Sequence, residues 1–209
     1  MTSAERGQYV TVVSGLPRSG TSMMMAMLGA GGVPALTDGV RAPDEDNRRG
    51  YYEYEPVKRL AADASWIGEA RGRAVKVVIP LVRRLPAPCA CRVLLMRRPV
   101  EEVIASQRVM LGRAGRRGGR IEPELLGRLY EAELRTTEAW LDARPDVAWL
   151  AVSYNGLVAD SGPAVREIGE FLGGGLDEGA MLAAVEPSLY RQRGAGGRGA
   201  VRAREGDRP

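Results

Sequence analysis

The stretch Gly15-Leu16-Pro17-Arg18-Ser19-Gly20-Thr21-Ser22 has the residue types and spacing to hold an anion. Gly15 and Gly20 can take backbone angles that a side chain forbids, so successive N–H groups between them can turn inward onto one charge. The hydroxyls of Thr21 and Ser22 can each donate to a phosphate oxygen, and a helix beginning there aims its positive end at the same point. The apolar run Tyr9 to Val13 before the loop and the run Ser22 to Leu28 after it predict the strand, turn and helix that such a loop needs. A tight glycine turn without a ligand is the plainer alternative. In nucleoside triphosphatases the residue after the second glycine is lysine and the next hydroxyl holds magnesium. Here that residue is Thr21, and the nearby cation is Arg18, inside the loop.

A second segment bears on which phosphate compound is held. Cys91 to Met96 reads as a short buried strand, of the kind that in magnesium-dependent enzymes ends in an aspartate holding the metal through water. This one ends in Arg97-Arg98-Pro99, a cation in the place of a carboxylate, which favours an anion site with no metal. Pro99 suits the first turn of a helix. The run Val100 to Leu111 then puts Val103, Ile104 and Met110 on one side and brings Ser106 round two turns beyond Arg98. Arg98 and Ser106 are therefore candidates to grip a second phosphate, the alternative being an exposed arginine and an ordinary helix serine.

On these residues the chain resembles the sulfotransferases that use 3′-phosphoadenosine 5′-phosphosulfate (PAPS). Their two signatures are a loop of the type Pro-Lys/Arg-Ser-Gly-Thr-Thr/Ser and a later Arg with Ser eight positions on. Pro17 to Ser22 matches the first, and Arg98 with Ser106 matches the second. The resemblance implies that Pro17, Arg18, Ser19, Gly20, Thr21 and Ser22 hold the 5′-phosphosulfate end and that Arg98 and Ser106 hold the 3′-phosphate. Val152-Ser153-Tyr154, followed by Leu157-Val158 and a helix ending Phe171-Leu172-Gly173, is similar to the family's strand that ends in a tyrosine near the adenine. Arg191-Gln192-Arg193-Gly194 is an analogue of its basic-glycine stretch over the 3′-phosphate, which implies Arg193 and Gly194 as donor contacts. The likeness runs from about Val10 to Gly194. Two features depart from it: Met23 replaces the adenine-stacking tryptophan of cytosolic members, and the chain has no histidine to serve as the general base that many members use.

Without histidine, the base that takes a proton from an acceptor near neutral pH has to be a carboxylate. The long polar connection Thr37 to Glu55 holds Asp38, Asp44, Glu45, Asp46, Glu53 and Glu55 among Tyr51, Tyr52 and Tyr54. It is similar to protein-tyrosine sulfotransferases, in which a base follows the same helix close to where Asp38 falls; Glu53 and Glu45 are the other candidates. For each, a solvated surface carboxylate is the alternative. The implied reaction is sulfuryl transfer to a hydroxyl, or second an amine, of a small-molecule acceptor. Arg18 would act in it as an electrostatic clamp on the leaving oxygen, since arginine does not give up its proton. Its loss should cost on the order of 2.7 to 4 kcal/mol in the transition state. Tyr51, Tyr52, Tyr54, Trp66 and Met24 could line an apolar acceptor pocket, although core packing accounts for Met24 equally well.

These groups need elements to place them. Strand-like runs at Val10 to Val13, Ala74 to Ile79, Arg92 to Met96 and Val147 to Ser153 alternate with helical stretches. The helical stretches are Ser22 to Gly31, Pro56 to Ala70, Val100 to Leu111, Pro123 to Ala143 and Pro163 to Leu172. Such alternation predicts an α/β fold, three-layered and P-loop-like, with a central parallel sheet, helices on both faces and the ligand beyond the strand C-termini. Residues 1–194 form one domain in this reading, and the Gly/Arg-rich residues 195–209 a disordered tail. Lys76, one of very few lysines, falls in a strand otherwise built for burial and either points into the site or caps the sheet edge. Arg113 to Arg120 is a lid or a simple flexible loop.

Composition narrows the remaining classes. A net charge of +4 and a pI near 9.3 suit an anionic donor. The arginines lack the interleaved aromatics of a single-strand nucleic-acid binder, so no nucleic-acid partner is expected. Cys89 and Cys91, with no histidines and no second pair, do not make a zinc site. No signal-like start and no spanning apolar run point to a cytoplasmic protein, and the excess of arginine over lysine hints at a bacterial source. Monomer and homodimer are both compatible. A small-molecule kinase and a non-catalytic nucleotide-binding protein stay open as alternatives; the first needs magnesium and a carboxylate near the loop, and the missing histidine keeps the second alive.

Overall fold

Valine- and leucine-rich runs form four strands: β1 (Val10–Gly15), β2 (Ala74–Lys76), β3 (Cys91–Arg97) and β4 (Val147–Ser153). The computed structural model describes residues 7–39, 50–113, 115 and 121–185. All the strand pairs are parallel, in the order β2-β1-β3-β4, with Val12 opposite both Val75 and Val93 and with Leu94 opposite Leu150. β1, in the interior of the sheet, is buried at every position, which explains its unbroken apolar run; edge strand β4 alternates.

The connecting helices are α1 (Thr21–Ala30), α2 (Ile79–Val82), α3 (Val100–Arg113), α4 (Pro123–Asp142), α5 (Tyr154–Ala159), α6 (Ser161–Phe171) and α7 (Glu178–Ala183). On one face of the sheet Val10, Val12, Val93 and Leu95 pack with Val103 and Ile104 of α3 and with Leu134 and Leu141 of α4. On the other, Val13, Leu94, Met96 and Val152 pack with Met24, Met27 and Leu28 of α1 and with Val165 and Ile168 of α6. The expected α/β class, a parallel sheet between two helical layers, is the one observed. From β1 the chain passes to β2 on one side and then to β3 on the other, so the C-terminal ends of β1 and β3 border a switch point where open α/β sheets bind ligands.

Three expected elements differ. Pro56 to Ala70 is not one helix but two 3-10 turns, Glu55–Arg59 and Ser65–Gly68. Between them the Asp63 carboxylate accepts from both the Ser65 N–H and the Ser65 hydroxyl, and this local bonding competes with a helical backbone. β2 stops at Lys76, short of the expected Ile79, because Pro80 in the first turn of α2 redirects the chain. α6 starts at Ser161, ahead of Pro163, with Asp160 capping the Gly162 N–H. Cys89 and Cys91 are bonded to each other at the head of β3.

Candidate functional site

The loop after β1 has the backbone its glycines predict. Gly20 is left-handed at φ +98, and a β-carbon there would stand 2.3 Å from the Tyr154 ring. Arg18, although it carries a side chain, is also left-handed at φ 72, a strained state that clusters at functional loops. α1 begins directly after Gly20, which as a glycine offers no side chain to cap it. Ser19 lies beneath, 1% exposed, and its hydroxyl has no hydrogen-bond partner among the described residues.

The second segment meets the first at Arg18. Arg18 Nε donates to Ser106 Oγ at 3.1 Å, and Arg98 Nη1 donates to the Arg18 carbonyl at 3.1 Å. Arg98 is nearly buried: its Nε donates to Glu102 Oε2 at 3.0 Å and its guanidinium lies 4.6 Å from the Tyr154 ring centre. Asn155 Nδ2 donates to the other Glu102 oxygen at 3.0 Å. Tyr154 therefore sits between Gly20 and Arg98 as a spacer, while Glu102 fixes the arginine from the first turn of α3. Neither Glu102 nor Asn155 stands out in the sequence; the four-residue step from Arg98 to Glu102 across a helix start is the signal that finds the first.

Lys76 resolves toward the site. From the end of edge strand β2 its ammonium donates to Ser22 Oγ at 3.2 Å and to the Tyr51 carbonyl at 3.0 Å. A lysine ammonium thus stands beside the hydroxyl of Ser22, two residues after Gly20. Of the chain's 30 lysines and arginines, only Lys58 and Lys76 are lysines, and both line the same cavity.

That cavity has a volume of about 330 Å³ and is bounded by the loop residues Gly15 to Arg18 and Gly20 to Met23, by Arg98 and Tyr154, and by Tyr51, Glu53 and Tyr54. Among the described residues lining it, Glu53 is the one carboxylate. Asp38 is not part of the lining. It braces Glu53 instead: the Asp38 N–H donates to the Glu53 carbonyl at 3.2 Å, and Asp38 Oδ2 accepts from the Glu55 N–H at 2.6 Å. Tyr52, just before Glu53, is left-handed at φ 51. Of the expected acceptor-pocket residues Tyr51 and Tyr54 line the cavity, whereas Met24 belongs to the core under α1 and Trp66 stands behind Tyr54. Pro17 lines the cavity; Ser19 and Ser106 are buried and are not part of its lining. Glu45, Arg193 and Gly194 lie outside the described residues, as do nearly all of Arg113 to Arg120 and the whole tail. Among the described residues no group of three or more His, Cys, Asp or Glu side chains is placed to hold a metal ion, and no helix is long and apolar enough to cross a membrane.

No protein-family model matches the chain, and no curated protein matches it. Among solved structures it is similar to the sulfotransferase domain from the curacin biosynthetic pathway, at 14% sequence identity and a TM-score of 0.49, over 85% of this chain and 78% of that one. It is also similar to the sulfotransferase domain from the Synechococcus PCC 7002 olefin synthase, at 15% identity and a TM-score of 0.47, over 92% of this chain and 90% of that one.

Proposed function

We propose that the chain transfers a sulfuryl group from PAPS to a hydroxyl of a small-molecule acceptor. The observation that carries this reading is the meeting of two distant segments at one residue: Ser106 and Arg98 both bond to Arg18 of the loop. A loop made for one phosphate and an arginine–serine pair made for another suit a donor with charge at both its 5′ and 3′ positions. The cradle fits such an anion, because the Ser19 hydroxyl is buried with no partner among the described residues and α1 starts at a glycine that has no side chain to cap it. Bound PAPS supplies the sulfuryl group, its S–O bond to the 5′-phosphate breaking as the acceptor O–S bond forms and the electron pair leaving with adenosine 3′,5′-bisphosphate.

The chain's own residues do the rest. Ser19, Gly20, Thr21 and Ser22 hold the 5′ end; Arg98, fixed by Glu102, and Ser106 hold the 3′-phosphate; Tyr154 stands by the adenine. Lys76, a compact charge beside Ser22, and Arg18 neutralise negative charge as it builds on the bridging oxygen. Glu53 accepts the proton that the acceptor hydroxyl loses, and Asp38 holds the Glu53 backbone in place. The test pairs two measurements on Glu53→Gln: transfer from radiolabelled PAPS, expected to fall about 10²- to 10⁴-fold, and binding of adenosine 3′,5′-bisphosphate, expected to persist. Unchanged transfer would remove Glu53 from the role of base, and absence of nucleotide binding in the wild type would remove the donor itself.

A further inference from the structure

We infer that the acceptor is an apolar alcohol or phenol, whose hydrocarbon body lies against Tyr54, Val78, Leu81 and Met110 while its hydroxyl faces Lys76 and Glu53. The inference rests on the sulfuryl-transfer reading and names the substrate class of that same site.

The cavity has two unlike halves. The loop with Arg98 forms one, rich in N–H groups, hydroxyls and cations. The other is assembled from four separate segments: Tyr54 and Val57 around the turn Glu55–Arg59, Val77 and Val78 after β2, Leu81 in α2 and Met110 in α3. Convergence of hydrocarbon from four segments is what a pocket for an apolar ligand requires. Val78 is 41% exposed although it lines this wall, so core packing does not account for it. Tyr54 is braced from behind, its ring meeting buried Trp66 edge-on at 5.7 Å.

Polar groups stand at the borders of this wall. Lys76, whose ammonium bonds to Ser22 of the loop, and Glu53 line the same cavity as this wall. At the outer rim the Lys58 ammonium is paired with Glu55 at 2.7 Å. A sugar would set several hydroxyls against Val78, Leu81 and Met110, each losing water without a replacement partner. A molecule with one hydroxyl on a hydrocarbon frame leaves nothing unpaired. The volume of about 330 Å³ is shared by both halves, so the apolar half admits only a small frame.

Binding of 2-naphthol to the full chain, followed by calorimetry with and without glucose, tests the class, with Val78→Asp and Leu81→Ser as wall variants whose folding is checked by thermal melting. Titration of the same samples with adenosine 3′,5′-bisphosphate reports separately on the donor half. Saturable 2-naphthol binding that glucose does not displace, weakened at least about tenfold by a folded wall variant, is the expected result. No 2-naphthol binding, displacement by glucose, or equal binding to both folded variants would overturn the acceptor class even with nucleotide binding intact. Loss of nucleotide binding alone, with 2-naphthol binding as expected, would instead overturn the donor reading.

Discussion

Gly20 and Lys76 carry the residue-scale account. A side chain at Gly20 would be strained at φ +98 and would meet the Tyr154 ring at 2.3 Å, so Gly20→Ala should cost about 1–3 kcal/mol of stability in urea denaturation and weaken adenosine 3′,5′-bisphosphate binding. Lys76→Ala should lower transfer about 10²- to 10³-fold, and Lys76→Arg should restore little of it, because a planar guanidinium spreads the charge that a single ammonium concentrates beside Ser22. Full activity of the arginine variant, in steady-state assays, would show that any cation suffices there. The loop was legible in the sequence because glycine and hydroxyl spacing reports local backbone. The direction of Lys76 was not, since a strand residue next to an edge has two faces and the sequence does not say which one meets α1. That Glu53 and not Asp38 lines the cavity was not legible either, because the Asp38 N–H donates to the Glu53 carbonyl and the Asp38 carboxylate accepts from the Glu55 N–H, contacts that no local pattern encodes.

At the scale of the element, the start of α3 is organised around a buried ion pair. Arg98 and Glu102 are 5% and 4% exposed in their side chains, and Asn155 holds the second carboxylate oxygen. Removing Arg98 strands the Glu102 charge, so Arg98→Ala should cost about 3–5 kcal/mol in chemical denaturation. Neutralising the partner as well, in Arg98→Ala/Glu102→Gln, should recover part of that loss without recovering nucleotide binding; a double variant no more stable than the single one would contradict the pairing. Ser106→Ala is accordingly the cleaner probe of the 3′-phosphate, since it removes one hydroxyl and leaves no buried charge. The strand and helix runs with strong hydrophobic patterning, β1, β3, α3 and α4, were legible to within a few residues. The Pro56 to Ala70 stretch was not, because one aspartate–serine contact at Asp63 outweighed its helical composition.

For the whole molecule, the sheet must hold the ends of β1 and β3 in register, and the opposite end is tied by one bracket. Arg144 donates to both Asp146 oxygens and to the Leu85 and Pro86 carbonyls, while Asp146 Oδ2 accepts from the Cys89 N–H at 2.7 Å. The Arg144 guanidinium, and after it the Cys89 N–H, hold the Asp146 carboxyl well below the usual carboxylate range. A depressed folded-state value means that this contribution is complete above about pH 4, the unfolded carboxylate range, and is lost as the pH falls through the folded value. Asp146→Asn should therefore be less stable by about 1.5–3 kcal/mol at pH 7, with the gap to wild type closing in denaturation curves taken at progressively more acid pH. A gap that stays constant down to pH 3 would contradict the assignment. The layered parallel sheet was legible from the alternation of strand and helix runs, whereas the convergence of Lys76, Glu53 and Arg98 on one cavity arises from strand order, which alternation leaves undetermined. The central claim is that the loop and the Arg98–Ser106 pair form one seat for a nucleotide charged at both ends. Titration calorimetry with adenosine 3′,5′-bisphosphate, AMP and magnesium–ATP on wild type and Ser106→Ala tests it most directly. The account predicts that the bisphosphate binds at least about tenfold tighter than AMP, with no need for magnesium, and that Ser106→Ala narrows that preference; equal binding of bisphosphate and AMP, or a preference for magnesium–ATP, would contradict it.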